Sequence, residues 1–570
     1  MRFSPRENKA ASVGWREWSE EAFREAERHG KLVLLSISAS WCHWCHVMDE
    51  TTYSDPLVRE LIHRYYVPVR VDTDLQPEIN RRYNQGGWPT TAFLDPEGRL
   101  LAGSTYIPPE TMRKVLERMY ALYKERRHDL EWETSGPFRP EPVGDLRRKS
   151  LETAGLILVL WDRPHGGIGN APKFPLPEAI LLALEAYHST GKKDFLSFAH
   201  QTLSSMVNSR LFDEVEGGFF RYSVTADWNE PHYEKLLEDN ALLLLALEWS
   251  IATGGDGCLV KAVEATARYI TTSLYGGQGL FHPSQDASEE YYLLGKEERE
   301  KVEKPAVDPL PLSRPAAIAS RVLMRLGASR KRGDWQEVAL EALERVFSTF
   351  EPGSGVAHVY GYDALGRGHL EDQTAVALAL LDAYSLMGED EYLRRSYQIL
   401  ELVLGEYGME GTGLLADVAD GYLPAKLTGA PAPPEALGEA ATALAWGWAI
   451  SGEGSWRDEA HSLLAHAFSH YNDVGVHASP LARAGLLLTG KPLLVKLPSG
   501  REYGTLSRAF LSLPHSLARP VPHEPGEGEP PFLLCHPDSC LASSEDAGAL
   551  MESIKEMAPP PGSEEGGTGE

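Results

Sequence analysis

The sequence predicts a multidomain protein with an α/β domain at the N-terminus, a long all-α domain in the middle and a small α/β appendage at the C-terminus. Three observations predict this order. Apolar segments of strand length alternate with helical patterns up to about residue 130, helical periodicity continues from 146 to about 490, and short strand-like segments return from Lys491. A chain of 570 residues is also long enough for about two to four separate cores.

The first domain, residues 1–130, alternates strands with helices. The predicted elements are a helix at 17–29, a strand at 31–38, a helix at 43–64, strands at 66–71, 90–94 and 99–105, and a helix at 108–127. Asp55-Pro56 should bend or restart the second helix, because proline removes a backbone donor. Cys42 and Cys45 follow the first buried strand, beside a βαβ pattern. This combination predicts a thioredoxin-like domain.

The cysteine pair lies in the segment Ser40-Trp41-Cys42-His43-Trp44-Cys45-His46. We expect Cys42 at the junction of strand and helix, where the N-terminal amide groups lower the pKa of a thiol. Cys42 would attack a disulfide and Cys45, one turn later, would resolve the mixed disulfide. His43 and His46, when charged, would stabilise the thiolate.

Trp41 and Pro89 complete the predicted catalytic group. Pro89 precedes the third strand, at the place where a thioredoxin-like fold puts a cis-proline beside its dithiol. Other interpretations of the pair stay open. Cys42-x-x-Cys45-His46 matches a c-type haem attachment motif, the two cysteines with a histidine could bind zinc, and the pair could be structural. We expect no cofactor and no metal.

Charge and composition exclude several classes of function. The formal charge of −27 argues against nucleic acid and against anionic membrane surfaces as partners. No apolar run approaches the ~18 residues that a membrane span needs. Residues 1–5 open no signal-peptide core, so we expect a cytoplasmic protein. Five cysteines are too few for a disulfide scaffold in a chain of this length.

The middle region, 146–490, contains helices of two kinds. Six have mixed faces, at 146–161, 195–211, 258–273, 335–350, 391–404 and 456–470. Six are uniformly apolar, at 176–187, 236–251, 316–326, 374–386, 440–450 and 481–488. A helix that is apolar all round is buried. The alternation therefore predicts an outer ring of helices around an inner ring, which is an (α/α)6 toroid.

The loops of this toroid predict where a ligand would bind. Long loops rich in polar and aromatic residues precede the apolar helices, at 166–175, 216–234, 276–292, 358–372 and 411–435. Short links follow these helices, so one rim is elaborate and the other is plain, and sites concentrate on elaborate loops. The ligand-binding candidates are Lys173, Arg221, Tyr222, Trp228, His232, Glu234, Lys235, Asp239, Asp286, Glu371 and Asp372.

Alternatives remain for these candidates. Asp239 could bridge buried backbone at the start of its helix, and Glu371 or Asp372 could be a helix cap. The appendage at 491–558 carries Cys535 and Cys540, which could form a second redox pair, part of a metal site or two ordinary thiols. Residues 131–145 are predicted as a linker and 559–570 as a disordered tail.

Several longer motifs resemble those of the spermatogenesis-associated protein 20 family. They are Trp41-Cys42-His43-Trp44-Cys45-His46-Val47-Met48, Gln85-Gly86-Gly87-Trp88-Pro89, Ala171-Pro172-Lys173-Phe174-Pro175, Gly217-Gly218-Phe219-Phe220-Arg221-Tyr222-Ser223-Val224, Pro231-His232-Tyr233-Glu234-Lys235, Asp239-Asn240-Ala241 and Leu370-Glu371-Asp372. The resemblance implies a thioredoxin-like domain fused to a toroid of the six-hairpin glycosidase type, similar to N-acylglucosamine 2-epimerases.

Three positions depart from the patterns that the resemblance implies. Glu238 replaces a tyrosine before the Asp-Asn pair, and an acidic loop is shortened to Asp286-Ala287-Ser288. Ser36 stands where thioredoxins carry a buried proton-relay aspartate, six residues before the first cysteine. The missing acid argues against efficient general disulfide reduction.

Three hypotheses of function follow. The first is a thiol–disulfide oxidoreductase-like protein whose dithiol is coupled to a carbohydrate-enzyme-like toroid. The second is a sugar-modifying enzyme, of epimerase, isomerase or glycosidase type, with a non-redox thioredoxin-like lid. The third is a binding or scaffold protein without turnover. The expected partner is a small, sugar-like molecule or a protein thiol.

Overall fold

The computed structural model describes residues 1–126, 140–361, 364–511, 518–526 and 528–557. Residues 131–139 of the predicted linker and the whole predicted tail lie outside these ranges. The chain divides into two compact units. The first unit comprises Met1–Phe138 together with Gln285–Glu289 and Val418–Ala430, and the second comprises the rest of the chain. The predicted boundaries had placed both of these short segments in the toroid.

The first unit is built on a four-stranded sheet. The strands are Leu32–Ser38, Tyr66–Asp72, Thr90–Leu94 and Leu100–Ser104, in the spatial order second, first, third, fourth. The first strand pairs in parallel with the second and antiparallel with the third, and the third and fourth form a hairpin. The helices are Glu20–His29, His43–Glu50, Pro56–Tyr65, Pro77–Tyr83 and Pro109–Arg126. This is the thioredoxin-like arrangement that the sequence predicts.

The first strand is central because its side chains enter two cores. Leu32 and Leu34 pack on one face of the sheet, and Val33, Leu35 and Ile37 pack on the other. A strand buried on both faces reads as a continuous apolar run.

The helix predicted at 43–64 is two helices in the structure. The second begins at Pro56, and the Asp55 carboxylate caps it by accepting hydrogen bonds from the amides of Leu57 and Val58. Asp55-Pro56 therefore restarts the helix, because the cap satisfies amides that have no partner inside the first turn.

The second unit contains a closed ring of six inner helices. These are Pro177–Thr190, Leu237–Ala252, Ser313–Ser329, Leu370–Met387, Pro434–Ser451 and Ser479–Gly490, numbered here first to sixth. Each inner helix packs against the next, and the sixth packs against the first. The outer helices are Leu146–Leu160, Lys193–Val207, Gly257–Thr272, Gly333–Phe347, Asp390–Glu406 and Gly454–His470. The (α/α)6 toroid is therefore confirmed.

The C-terminal appendage also belongs to the second unit. Its sheet has the order Ala518–His523, Leu493–Pro498, Phe532–His536, Ser539–Ser544. Its helices are Tyr503–Leu511 and Ala547–Met557. Tyr503 donates a hydrogen bond of 2.9 Å to the carbonyl oxygen of Ser385, at the end of the fourth inner helix. The appendage therefore packs at the C-terminal end of the inner ring.

Candidate functional site

The dithiol lies at the start of the helix His43–Glu50. Cys42 is the N-cap residue, and its Sγ accepts a hydrogen bond of 3.2 Å from the backbone amide of Cys45. The two cysteines form a disulfide, with Cα atoms 5.3 Å apart. Because the positive end of a helix favours a negative charge, this position favours a thiolate on Cys42.

Both cysteines are buried, and two tryptophans pack together in the segments that adjoin Cys42 and Pro89. Cys42 is 4% exposed and Cys45 is 2% exposed. The ring of Trp41 lies 5.5 Å from that of Trp88, centroid to centroid, and the bond between Trp88 and Pro89 is cis. Trp41 therefore packs against Trp88, the residue before the predicted Pro89, although the two segments are far apart in the sequence.

Trp44, between the two cysteines, faces outward. Its side chain is 44% exposed and leans against the ring of Tyr106, with 5.3 Å between centroids. His43 is half-buried and its ring lies 5.8 Å from that of Trp44.

His46 contacts the carboxylate of Asp286, which the sequence assigns to the rim of the toroid. Its Nε2 hydrogen-bonds to the carbonyl oxygen of Ser40 at 2.9 Å, and its Nδ1 lies 3.7 Å from Asp286 Oδ2. Asp286 was predicted as a ligand residue of the toroid rim, and this placement is wrong. The segment Gln285–Glu289 packs in the first unit, so Asp286 belongs to the surroundings of the dithiol.

Ser36 is buried in the first strand, so no acid occupies the proton-relay position. A different buried carboxylate lies in the same unit. Asp49 forms a bidentate ion pair with Arg70, at 2.8 and 2.9 Å, and accepts a further hydrogen bond from the amide of Ser4. Arg70 therefore engages both oxygens of this carboxylate.

Three of the predicted rim residues hold loops together. Lys173 is fully buried, with its Nζ paired with Asp162 and donating to the carbonyl oxygen of Gly166. Trp228, also fully buried, donates to the carbonyl oxygen of His165. The contacts of both side chains therefore fix the conformation of the loops around them.

Lys235 is the third such residue. Its Nζ donates to Asp213 Oδ2 at 2.7 Å and to the carbonyl oxygen of Gly217 at 2.8 Å. Burial lowers the pKa of Lys235 to about 8, although the Asp213 carboxylate opposes this change.

A second group of predicted residues forms a compact cluster on the loop before the second inner helix. The imidazole of His232 stacks on the ring of Tyr222, with 4.4 Å between centroids, and its Nδ1 lies 3.7 Å from Glu234 Oε1. Burial alone would raise the pKa of Glu234, but hydrogen bonding with His232 and the charge of Arg221 outweigh it and lower this pKa.

Charged residues occupy the second position of five inner helices. They are Glu178, Glu238, Arg314, Glu371 and Glu435. Because the inner helices begin at the same rim, these side chains gather around the axis of the ring. Together with Asp239 and Glu439 we call them the mouth cluster.

Arg314 is the cation of the mouth cluster. Its guanidinium lies 3.1 Å from Glu238 Oε1 and 2.6 Å from Glu439 Oε2. The carboxylates outnumber this arginine, so they compete for its charge. Burial raises the pKa of Glu439 to about 7 and that of Asp239 to about 7, and the neighbouring Glu238 adds to both effects. Carboxylic acids that titrate near neutral pH are suited to general acid–base catalysis.

Below the mouth cluster, the axis of the toroid holds a cavity of about 100 Å³. Its charged lining residues are Glu178, Glu185, Arg321, Arg325, Asp382, Glu439, Arg483 and Arg519. The walls include Trp249 and Trp446. We call this space the axial cavity.

Sequence reasoning named Asp239 and Glu371 but missed Arg314, Glu435, Glu439 and the deeper arginines. Arg321, Arg325 and Arg483 lie inside helices predicted as uniformly apolar. Arg314 and Glu439 lie just before the predicted starts of two such helices, and Glu435 ends the predicted loop at 411–435. Arg519 lies in the appendage. The recurrence of a charged residue at the second position of successive inner helices is the signal that could have identified part of this group.

Asp372 anchors the start of the fourth inner helix. Its Oδ2 lies 2.7 Å from His358 Nδ1, and its Oδ1 accepts from the amide of Arg314 at 3.1 Å. His369 Nδ1 lies 4.0 Å from the same carboxylate. Among the described residues, His358, His369 and Asp372 are a buried group whose donor atoms all lie within 4.8 Å of one another. Two imidazoles and a carboxylate suit a first-row transition metal.

Cys535 and Cys540 of the appendage form a disulfide, with Cα atoms 3.8 Å apart. They face each other across the antiparallel strands Phe532–His536 and Ser539–Ser544. Cys258 is a free cysteine of intermediate exposure. No helix within the described ranges combines the length and the apolar character that crossing a membrane requires.

Comparisons with known proteins agree with this arrangement. Residues 5–136 match the Thioredox_DsbH family model, which is described as a protein of unknown function, DUF255. The chain is 31% identical to human spermatogenesis-associated protein 20 over 307 residues, which are 48% of this chain and 39% of the human protein. It therefore spans about two fifths of the length of that relative. The resemblance inferred from the motifs is confirmed at this level of identity.

Two further similarities concern the units separately. The disulfide bond reductase DsbH of Chlamydia pneumoniae is 26% identical over 110 residues, covering 17% of this chain and 66% of that protein. A sugar epimerase from a ruminal bacterium matches with a TM-score of 0.48 and 12% identity, covering 60% of this chain and 98% of the epimerase.

Proposed function

We propose that the first unit catalyses thiol–disulfide exchange, with Cys42 as the attacking residue and Cys45 as the resolving residue. The observation that carries this proposal is the N-cap position of Cys42, whose sulfur accepts the amide hydrogen of Cys45 at 3.2 Å. This arrangement favours negative charge on the sulfur that attacks and places the second thiol one turn away.

The reaction proceeds in two exchanges. The Cys42 thiolate attacks a substrate disulfide, forms a mixed disulfide and releases one substrate thiolate, which takes a proton from water. The Cys45 thiolate then attacks Cys42 Sγ, releases the second substrate thiolate and leaves the Cys42–Cys45 disulfide. A dithiol reductant returns both cysteines to the reduced state. Similarity to a relative named a disulfide bond reductase supports this direction of electron flow.

Two features favour a narrow range of substrates. Both cysteines are almost fully buried, and the position six residues before Cys42 is Ser36, which is not an acid. A disulfide inside the folded core of a protein has poor access to such a pair, whereas a small or exposed disulfide can reach it. We therefore propose a particular small disulfide or one partner protein as the substrate, and Trp44 as a contact for it.

The test uses the full chain with Cys42→Ser, Cys45→Ser and the matched control Cys258→Ser. The pre-reduced protein is mixed with oxidised glutathione and with insulin, and the release of thiol is measured. We expect both active-site variants to lose turnover and Cys45→Ser to accumulate a mixed disulfide on Cys42. Equal thiol release by the Cys42→Ser variant would overturn the proposal.

The mouth cluster supports a second candidate function, which is acid–base catalysis on a carbohydrate-like ligand in the toroid. The specific observation is that burial raises the pKa values of Asp239 and Glu439 to about 7 and that Glu439 lines the axial cavity. Turnover of a panel of aldoses and disaccharides would test it. We expect Asp239→Asn to abolish turnover and Cys42→Ser to leave it intact, whereas a panel without any turnover contradicts this candidate.

A further inference from the structure

The floor of the axial cavity carries an excess of positive charge. Arg321 Nε lies 3.0 Å from Asp382 Oδ2, while Arg325 Nε and Arg519 Nη2 lie 3.5 and 3.0 Å from Asp382 Oδ1. One carboxylate therefore faces three guanidinium groups. Burial would raise the pKa of Asp382, but the three arginines outweigh it and lower this pKa to about 2, so Asp382 is ionised.

The nearest other carboxylates have cations of their own. Glu185 lies 3.0 Å from Arg483, and Glu439 lies 2.6 Å from Arg314. Arg483 is also shared with Glu178, at 2.7 Å. The cavity lining as a whole has four carboxylates and four arginines, so the positive excess is local to the floor around Asp382. Buried charges are costly unless they are paired and hydrogen-bonded.

Arg519 comes from the appendage and not from the ring. It lies in the strand Ala518–His523, is 1% exposed and places its guanidinium 4.6 Å from the centroid of Trp446. Within the part of the chain that the structure describes, the buried Nε atoms of Arg519 and Arg325 donate no hydrogen bond. The floor thus has hydrogen-bond donors without acceptors as well as positive charge that Asp382 does not balance.

We propose that the floor of the axial cavity binds the oxyanion group of a small ligand, either a carboxylate or a phosphate. Arg321, Arg325 and Arg519 surround the group, because planar guanidinium forks match the geometry of both anions. The inference rests on the toroid having a ligand, as in the second candidate function, and does not require turnover.

Size and polarity define the ligand further. A cavity of about 100 Å³ has room for an oxyanion group, since about 10–15 Å³ on the same measure holds one water molecule. The rest of the ligand then extends towards the mouth cluster, whose carboxylates accept hydrogen bonds from hydroxyl groups. An acidic or phosphorylated sugar has this polarity, with its anion at one end and its hydroxyls at the other.

Thermal unfolding and calorimetric titration of the full chain test this inference. The probes are inorganic phosphate, glucuronate and glucose 6-phosphate, with glucose and an equal ionic strength of sodium chloride as references. We expect at least one anionic probe to raise Tm, while glucose and chloride do not. A response to phosphate compounds alone or to glucuronate alone identifies the anion. No response to any of the three overturns the proposal.

The substitution Arg325→Gln is expected to weaken binding of the responding probe at least tenfold. Arg330→Gln is the matched control, because Arg330 follows the same inner helix but pairs with Glu248 and Glu264, which are not cavity-lining residues. Equal losses in both variants would overturn the proposal.

A third variant keeps the test informative if Arg325→Gln does not fold. Asp382→Asn removes the competing carboxylate, so the responding anion should raise Tm more in this variant than in the wild type. If instead the arginines only hold the appendage to the ring, Asp382→Asn should have a lower Tm than the wild type. The anion should then raise the Tm of this variant no more than it raises the Tm of the wild type. Since all these readouts measure binding, they remain valid if the dithiol is inactive or if the toroid turns over no sugar.

Discussion

His46 Nδ1 lies 3.7 Å from Asp286 Oδ2, and both side chains are mostly buried. His46 directly follows the resolving cysteine, whereas Asp286 comes from a segment that leaves the helical region and packs in the thioredoxin-like unit. A carboxylate at this distance can orient the imidazole that directly follows Cys45. Asp286 therefore places an acidic group beside the residue that follows Cys45. Ser36, at the usual proton-relay position, provides no such group.

Asp286→Asn is expected to slow alkylation of the reduced dithiol by iodoacetamide at neutral pH by about three- to tenfold. Mass spectrometry of the alkylated Cys42 peptide gives the rate. The same substitution in a His46→Gln background should have no further effect, because the carboxylate acts through the imidazole. Additive effects of the two substitutions would show that Asp286 and His46 act independently.

The raised pKa of Glu439 predicts a pH dependence of stability. The group titrates near 4.5 when unfolded and near 7 when folded, so the folded state binds the proton more tightly. Its contribution to the free energy of unfolding is present below pH 4.5 and is lost as the pH rises through 7, because the unfolded state releases the proton at a lower pH than the folded state. In Glu439→Gln the side chain cannot titrate. Between pH 5 and pH 8 the free energy of unfolding of this variant should therefore fall by about 2–3 kcal/mol less than that of the wild type.

Urea denaturation at both pH values measures this difference. Glu337→Gln is the matched control, since Glu337 is exposed on an outer helix. We expect this control to show the wild-type dependence on pH. An unchanged pH dependence in Glu439→Gln would contradict the assignment of a near-neutral pKa to the mouth cluster.

The buried pair of Asp49 and Arg70 predicts a large loss of stability on removal of one partner. Asp49→Ala leaves the Arg70 guanidinium buried without its carboxylate, and the expected cost is about 3–5 kcal/mol in the free energy of unfolding. The double variant Asp49→Ala, Arg70→Met should be less destabilised than the sum of the single variants. Guanidinium chloride denaturation checks both values, and strict additivity would argue against a direct pair.

Gly217 predicts a packing effect on the loop that carries Lys235. Its φ is +88°, and a Cβ atom at this position would lie 2.3 Å from the carbonyl oxygen of Ala265. Gly217→Ala is expected to cost about 2–4 kcal/mol, because backbone strain adds to a contact with a main-chain atom. Gly254→Ala, with φ of +91° and open space around the new atom, should cost only the strain of about 1–2 kcal/mol. Equal shifts in Tm for the two variants would show that the contact with Ala265 is relieved easily.

The elements of both units follow from local patterns in the sequence. The all-buried first strand, the restart at Asp55-Pro56 and the place of Cys42 at the start of a helix depend on neighbouring residues, so alternation and capping predict them. The helix Pro77–Tyr83 received no prediction, because its short segment carries few buried residues.

The sequence by itself determined the dithiol, the order of strands and helices, and the division of the helices into inner and outer, because each depends on spacing within one segment. The tertiary structure alone decided that Asp286 lies beside His46 and that Arg519 joins Arg321 and Arg325 around Asp382. Periodicity shows which residues share one face of a helix. It does not show which faces meet once the ring closes, or which unit a loop joins, since these depend on packing between distant segments.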